Sequence, residues 1–150
     1  MNKLFVLVIF CVFGCSSIEK PYCIIEKSDE VIINWGDYNL KDKRMIRGYS
    51  LNTDMKVHEL INMDDSLGAE VAYITDTTYC NIYRTLKKTM VETQKLSVRA
   101  DTIRFIEYKN PETGFRLIGL WNNKLKAVGS KKYREVFDML NEITPNKFEK

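Results

Sequence analysis

An α+β fold is expected for this chain, built mainly on an antiparallel sheet of five to six strands with two amphipathic helices packed on one face. Two observations in the 150-residue sequence predict it. Short apolar runs are joined in pairs by turn-forming clusters, the pattern of hairpins. Twice, late in the chain, the apolar period lengthens to that of a helix with one greasy side. Hairpins favour antiparallel pairing, and one-sided helices need a sheet face to cover.

The first strand is VIINW, residues 31–35, followed by a polar turn, GDYNLKDK. RMIRGYSL and MKVHELI flank Asn52-Thr53-Asp54 and read as a hairpin. Asp64–Gly68 is a second turn, and EVAYIT at 70–75 a fourth strand. The helical period then sets in with Tyr79, Ile82, Tyr83, Leu86 and Met90, opposite Arg84, Lys87, Lys88 and Glu92. Asp76 is placed to cap that helix. TIRFIEY and FRLIGLW enclose Asn110-Pro111-Glu112-Thr113-Gly114, whose Pro and Gly suit a hairpin turn. The closing helix gathers Tyr133, Val136, Phe137, Leu140 and Ile143 on one side, with Ser130 as a cap and Pro145 beyond its end. The order is β-β-β-β-α-β-β-α. FRLIGLW carries apolar residues on both sides, so either its second face is sheltered or it is offered to a partner.

The N-terminus has a different character. Lys3 precedes an uninterrupted apolar run, Leu4–Phe13. Ten helical residues span roughly 15 Å, about half of a ~30 Å bilayer core, so the run reads as a secretory h-region and not a membrane span. It ends in VFGC: an aliphatic residue, a variable one, a small one, then Cys15. This resembles the lipobox of bacterial lipoproteins, over residues 1–17 alone. The resemblance implies cleavage before Cys15, a diacylglycerol on its thiol and an acyl chain on its new amino group. Two or more acyl chains hold a protein stably where one does not, at ~0.8 kcal/mol per buried methylene. Gly14-Cys15-Ser16 also satisfies the small-x-small rule of ordinary signal cleavage, which would release the chain without an anchor. Cys11 follows Phe10, too large a residue for the lipidated position. The lipobox reading divides the chain into a signal peptide (1–14), a lipidated N-terminus with a short tether (15–22) and one α+β domain (23–150). Ser16 is not the aspartate linked to inner-membrane retention in some Gram-negative bacteria. By the same resemblance the outer membrane is the expected address.

Without residues 1–14, 22 basic residues face 20 acidic ones, interspersed along the chain. A nucleic-acid partner would want a concentrated basic stripe, so that class is set aside. Of the four cysteines, Cys11 leaves with the signal and Cys15 is the lipid acceptor. Cys23 and Cys80 remain, in a compartment where disulfides form, and a bridge between them is expected. Two alternatives stay open: a reactive thiol at Cys80, in a first helical turn, or two free buried cysteines.

No catalytic constellation is visible. His58 is the single histidine and has no Gly-x-Ser-x-Gly elbow or local partner. One His and no C-x-x-C argue against zinc, and NMDDSLGAE lacks the alternating ligands of a calcium loop. No cofactor or metal is expected. Twenty acidic residues supply carboxylate pairs by chance, so a hydrolase remains an alternative without a signature. Trp35, Tyr38 and Trp121 are the candidate binding residues, because Trp and Tyr concentrate at binding hot spots. Trp35 is the one placed for exposure, at a strand end beside Gly36-Asp37-Tyr38. Lys124, Lys126, Lys131, Lys132 and Arg134 form a positive tip suited to anionic lipid or an acidic partner. The expected function is a non-enzymatic interaction module, tethered to the membrane by its lipid and binding an envelope protein or a cell-wall glycan. A small periplasmic inhibitor or immunity protein, using loop 36–44 or 110–114 as a plug, is the first alternative.

Overall fold

A computed structural model describes residues 20–24, 30–92, 100–125 and 128–148. The expected signal peptide, Cys15 with most of the expected tether, and Lys126 lie outside the described residues. The strands are β1 (Ile32–Asn39), β2 (Arg44–Leu51), β3 (Lys56–Leu60), β4 (Leu67–Tyr73), β5 (Thr102–Asn110) and β6 (Phe115–Trp121). The helices are α1 (Asp76–Glu92) and α2 (Lys131–Glu142). All six strands join one antiparallel sheet in the order β4-β3-β2-β1-β5-β6. The first four strands form a meander, and α1 carries the chain back across it to pair β5 with the free side of β1. Among the described residues, no helix is long and apolar enough to cross a membrane.

Both helices cover one face. Alternation along β1 aims Ile33 and Trp35 at them, level with Leu51 and Tyr49 on β2 and Tyr108 and Ile106 on β5. Tyr79, Ile82 and Leu86 of α1 and Val136, Phe137 and Leu140 of α2 close over these residues in one core. Their burial is the main stabilising term, at about 1.5–3 kcal/mol for each large side chain. Gly119 lets α2 approach, since a Cβ there would stand 2.4 Å from the Tyr133 ring. Thr75, not Asp76, caps α1: its hydroxyl accepts the Thr78 N–H at 3.3 Å. Asp76 instead accepts the Tyr22 N–H at 3.1 Å. Ser130 stands at the N-cap position of α2, but its hydroxyl is taken by Arg134.

The sheet rolls toward its other face. A Cβ on Gly36 would lie 2.3 Å from the Arg47 carbonyl oxygen and 2.8 Å from the Gly48 Cα. A Cβ on Gly48 would meet the Leu60 carbonyl oxygen at 3.1 Å. The paired glycines thus allow β2 and the end of β3 to fold over the sheet. Gly36→Ala is expected to destabilise by about 3 kcal/mol, because the added methyl meets backbone that cannot rotate away. Gly114→Ala, in open space with a φ of 69° as its only obstacle, should cost about 1 kcal/mol. Equal denaturation midpoints for the two variants would refute this account of the roll.

β1 also runs on where a turn was expected. Gly36-Asp37-Tyr38 lies inside the strand, because β1 is central and β5 pairs with it as far as Asn39. The turn is confined to residues 40–43.

Candidate functional site

The rolled face carries a polar network that fixes the β3–β4 hairpin across it. Asp65, in the turn after β3, reaches over the sheet to accept a hydrogen bond from Asn34 Nδ2 at 3.1 Å and to pair with Lys109. Asp65 holds a φ of 72°, a conformation asparagine and aspartate tolerate best. Asn34 Nδ2 also donates to Glu107 at 2.8 Å, and Arg116 closes on Glu107 from β6. Glu107 is 1 % exposed, so its charge is held by these partners and not by water. Two carboxylates therefore converge on one amide, yet each is already matched by a cation of the chain. This is how a hairpin is held.

The consequence is a cleft. β2 pairs with β3 over Tyr49–Leu51, and past that register Leu60 folds against Gly48. Between the two strands opens a space of about 270 Å³ walled by Met45, Ile46, Arg47 and Gly48 on one side and Glu59, Leu60 and Ile61 on the other. Ile46 and Ile61 are each 54 % exposed. Ile46 is the extra residue of a β-bulge, since Arg47 faces Asp37 and Met45 faces Tyr38. Of the charged residues, Arg47 and Glu59 belong to the walls, and the Glu59 side chain lies against Gly68.

At the same end, on the helix face, Arg104 makes a two-pronged pair with Asp37, at 2.8 and 3.0 Å. Its guanidinium stacks 4.5 Å from the Phe137 ring centre and 5.5 Å from that of Phe148. Arg47 lies 5.3 Å from Phe148 on the other side and donates to the Lys147 carbonyl. The C-terminal segment is thereby clamped beneath the β2 end of the cleft.

The N-terminal segment enters at the opposite end. Cys23 and Cys80 form a disulfide, joining that segment to the first turns of α1. That helix begins where β4 ends, beside the β2–β3 turn, as the Ile74 N–H to Met55 carbonyl bond shows. The β1–β2 turn and the cleft mouth therefore lie a sheet length from Cys23.

Of the sequence-derived candidates, Trp35 and Trp121 belong to the core, and their reading as groove residues is corrected. Trp35 is 0 % and Trp121 2 % exposed. Trp35 sits on the central strand under the helices, and Trp121 packs against Tyr133 and Phe137 at 6.1 and 5.6 Å. Tyr38 is half-buried on the rolled face. His58 stands opposite Ser50 and Glu70 in the sheet, while the Ser50 hydroxyl meets Asn52 at 3.4 Å. Among the described residues, no three His, Cys, Asp or Glu side chains are gathered to hold a metal. Arg116 and Glu107 escaped the sequence reading, although their places on either side of the 110–114 turn put them in diagonal reach.

The hairpin is also held by exposed charges. Lys56 and Glu70 pair at 2.7 Å, which holds the Glu70 carboxyl below its usual range and the Lys56 amine above its own. The Ser66 hydroxyl and N–H do the same for Asp64, lowering it. A lowered carboxyl contributes stability above its unfolded value and loses it as pH falls through the folded one. A raised amine contributes below its unfolded value and loses it as pH rises through the folded one. Hydrogen-exchange protection of β3 and β4 is thus expected to fall before that of α1 as pH drops below about 4. Simultaneous loss in both would contradict it.

Comparison of the chain with protein-family models, curated proteins and solved structures finds no match.

Proposed function

We propose that this protein is a lipid-anchored binding module of the bacterial cell envelope, non-enzymatic, with the outer membrane as its address and an envelope protein or cell-wall glycan as its partner. The single observation that supports the reading is the opposition of the two ends. The disulfide fastens the N-terminal segment at one end of the sheet, and the cleft between β2 and the end of β3 opens at the other. Eight Cα–Cα steps lead from Cys15 to Cys23, a reach of at most about 28 Å. An anchored domain would then stand with its tethered end toward the lipid and its open end toward the envelope space. The oxidised pair agrees with such a compartment.

The test is lysine-directed cross-linking of the full lipid-bearing chain in its native envelope, followed by mapping of the linked residues. The expected result is a defined partner joined through Lys41, Lys43 or Lys147. Links spread evenly over the exposed lysines, Lys88 and Lys131 included, would count against a recognition end.

A further inference from the structure

We infer that the end of the domain where the N-terminal segment enters is itself a membrane-contact surface, seated on a zwitterionic phospholipid bilayer through Tyr22, Tyr73 and Phe115. The inference rests on the lipid-anchored reading and adds to it the surface that meets the lipid.

The argument begins with how the exposed apolar side chains are sorted. Among the described residues, three aromatic side chains are at least half exposed: Tyr22, Tyr73 and Phe115, at 59, 63 and 50 %. All three lie at one end of the sheet. Tyr73 closes β4, opposite Lys56 at the start of β3. Phe115 opens β6, opposite Asn110 at the end of β5. Tyr22 adjoins the Cys23–Cys80 bridge, and its N–H is accepted by Asp76 at the start of α1. The exposed aliphatic side chains go to the other end. Leu40 and Ile61 follow β1 and β3, Ile46 and Leu67 stand near the starts of β2 and β4, and Leu125 and Val128 come after β6.

A single exposed apolar residue needs no explanation, but a division by type between two ends does. Aromatic rings settle at the headgroup level of a bilayer, where the ring is sheltered and a tyrosine hydroxyl stays wet. The three rings also stand on a wide base. β4 and β6 are the outer strands of the six-stranded sheet, about 24 Å apart at ~4.8 Å per strand. A footing that broad fixes an orientation, which one flexible anchor does not. Two of the rings are already held in place. The Arg84 guanidinium lies 5.7 Å from the Tyr22 ring centre, and Phe115 packs edge-on to Tyr108 at 6.0 Å. Their ordering therefore costs little on contact.

Charge selects the lipid. Lys56 and Lys109 are paired with Glu70 and Asp65, and Arg116 with Glu107. A notch of about 310 Å³ at the same end is lined by Lys20 together with Glu30 and Asp54. Cations and carboxylates thus stand side by side, which suits a zwitterionic headgroup and gives anionic lipid no net attraction.

The experiment places the full lipid-bearing chain in phosphatidylcholine vesicles whose acyl chains are brominated close to the headgroup, and reads tryptophan quenching. Tyr22→Trp, Tyr73→Trp and Phe115→Trp are compared with Leu40→Trp at the far end. All four sites are exposed, and the buried Trp35 and Trp121 give one background common to every variant. Each of the three is expected to be quenched at least about threefold more than Leu40→Trp, as rings at headgroup depth require. The contrast should persist in ~1 M salt, where the Debye length is only ~3 Å. Equal quenching of Leu40→Trp, no quenching of the three beyond background, or loss of the contrast in salt would each overturn the inference. Intact mass of the vesicle-bound chain separates the two readings. Acyl chains at Cys15 without the contrast leave the anchor standing and refute the contact surface. A chain without acyl groups refutes the anchor; the same contrast is then expected of that chain under excess vesicles, and its absence refutes the contact surface as well.

Discussion

Replacing both Cys23 and Cys80 with alanine is expected to lower the unfolding free energy by about 4 kcal/mol and the midpoint temperature by about 15 °C. The bridge spans 57 residues, and a cross-link over a loop of that length removes that much entropy from the unfolded chain. Locally the bridge also secures Ile24, 7 % exposed against the core, and the Tyr22 N–H that Asp76 accepts. The loss should therefore appear first at the N-terminal end of α1 and around Cys23. Reduction of the native protein without substitution should reproduce it. Unchanged midpoints after full reduction would mean that the fold does not depend on its covalent link to the N-terminal segment.

Arg116→Met is expected to cost about 3 kcal/mol at neutral pH. Glu107 would keep its charge in a buried place with only the Asn34 amide as partner. A buried charge stripped of its cation is uncompensated, and that is the origin of the loss. Glu107→Gln in the same chain should recover most of the loss, because the pair is removed together and the amide still meets Asn34. Because Asn34 and Asp65 share this network, the Arg116 variant should also loosen the β3–β4 turn. No recovery in the double variant would show that Arg116 acts by packing and not by charge.

Much of the architecture was legible in the residues. The order of eight elements follows from the change of apolar period at Tyr79 and again at Tyr133, and from turn chemistry at Asn52–Asp54 and Asn110–Gly114. What local pattern could not show was the shape of the sheet. Gly36 and Asp37 look like turn residues, and the first strand was ended before them. In the fold Gly36 is a mid-strand position that must lack a side chain, because β2 presses on it. That requirement comes from contact with residues 47 and 48, which no window around 36 contains. The misplacement of Trp35 follows from the same cause: once β1 continues and becomes central, residue 35 lies under both helices. Tryptophan is often drawn to a polar rim by its N–H, yet the indole nitrogens of Trp35 and Trp121 are buried without a partner among the described residues.

The cleft was still less accessible to sequence reasoning. Its existence depends on Asp65 crossing the sheet to Asn34 and Lys109, three residues far apart in the chain. Lys41 and Lys43 fall in a polar turn and Arg44 and Arg47 in a strand, so in sequence they are less concentrated than the basic residues around 124–134, of which Lys124, Lys131 and Lys132 stand exposed.

The central claim, a binding domain held to the envelope by lipid at Cys15, is tested most directly by the intact mass of the mature protein purified from membranes. The account predicts a chain that begins at Cys15, carries acyl chains there, and keeps Cys23 and Cys80 oxidised. An unmodified chain beginning at Ser16 or Ser17, or one that retains residues 1–14, would contradict it.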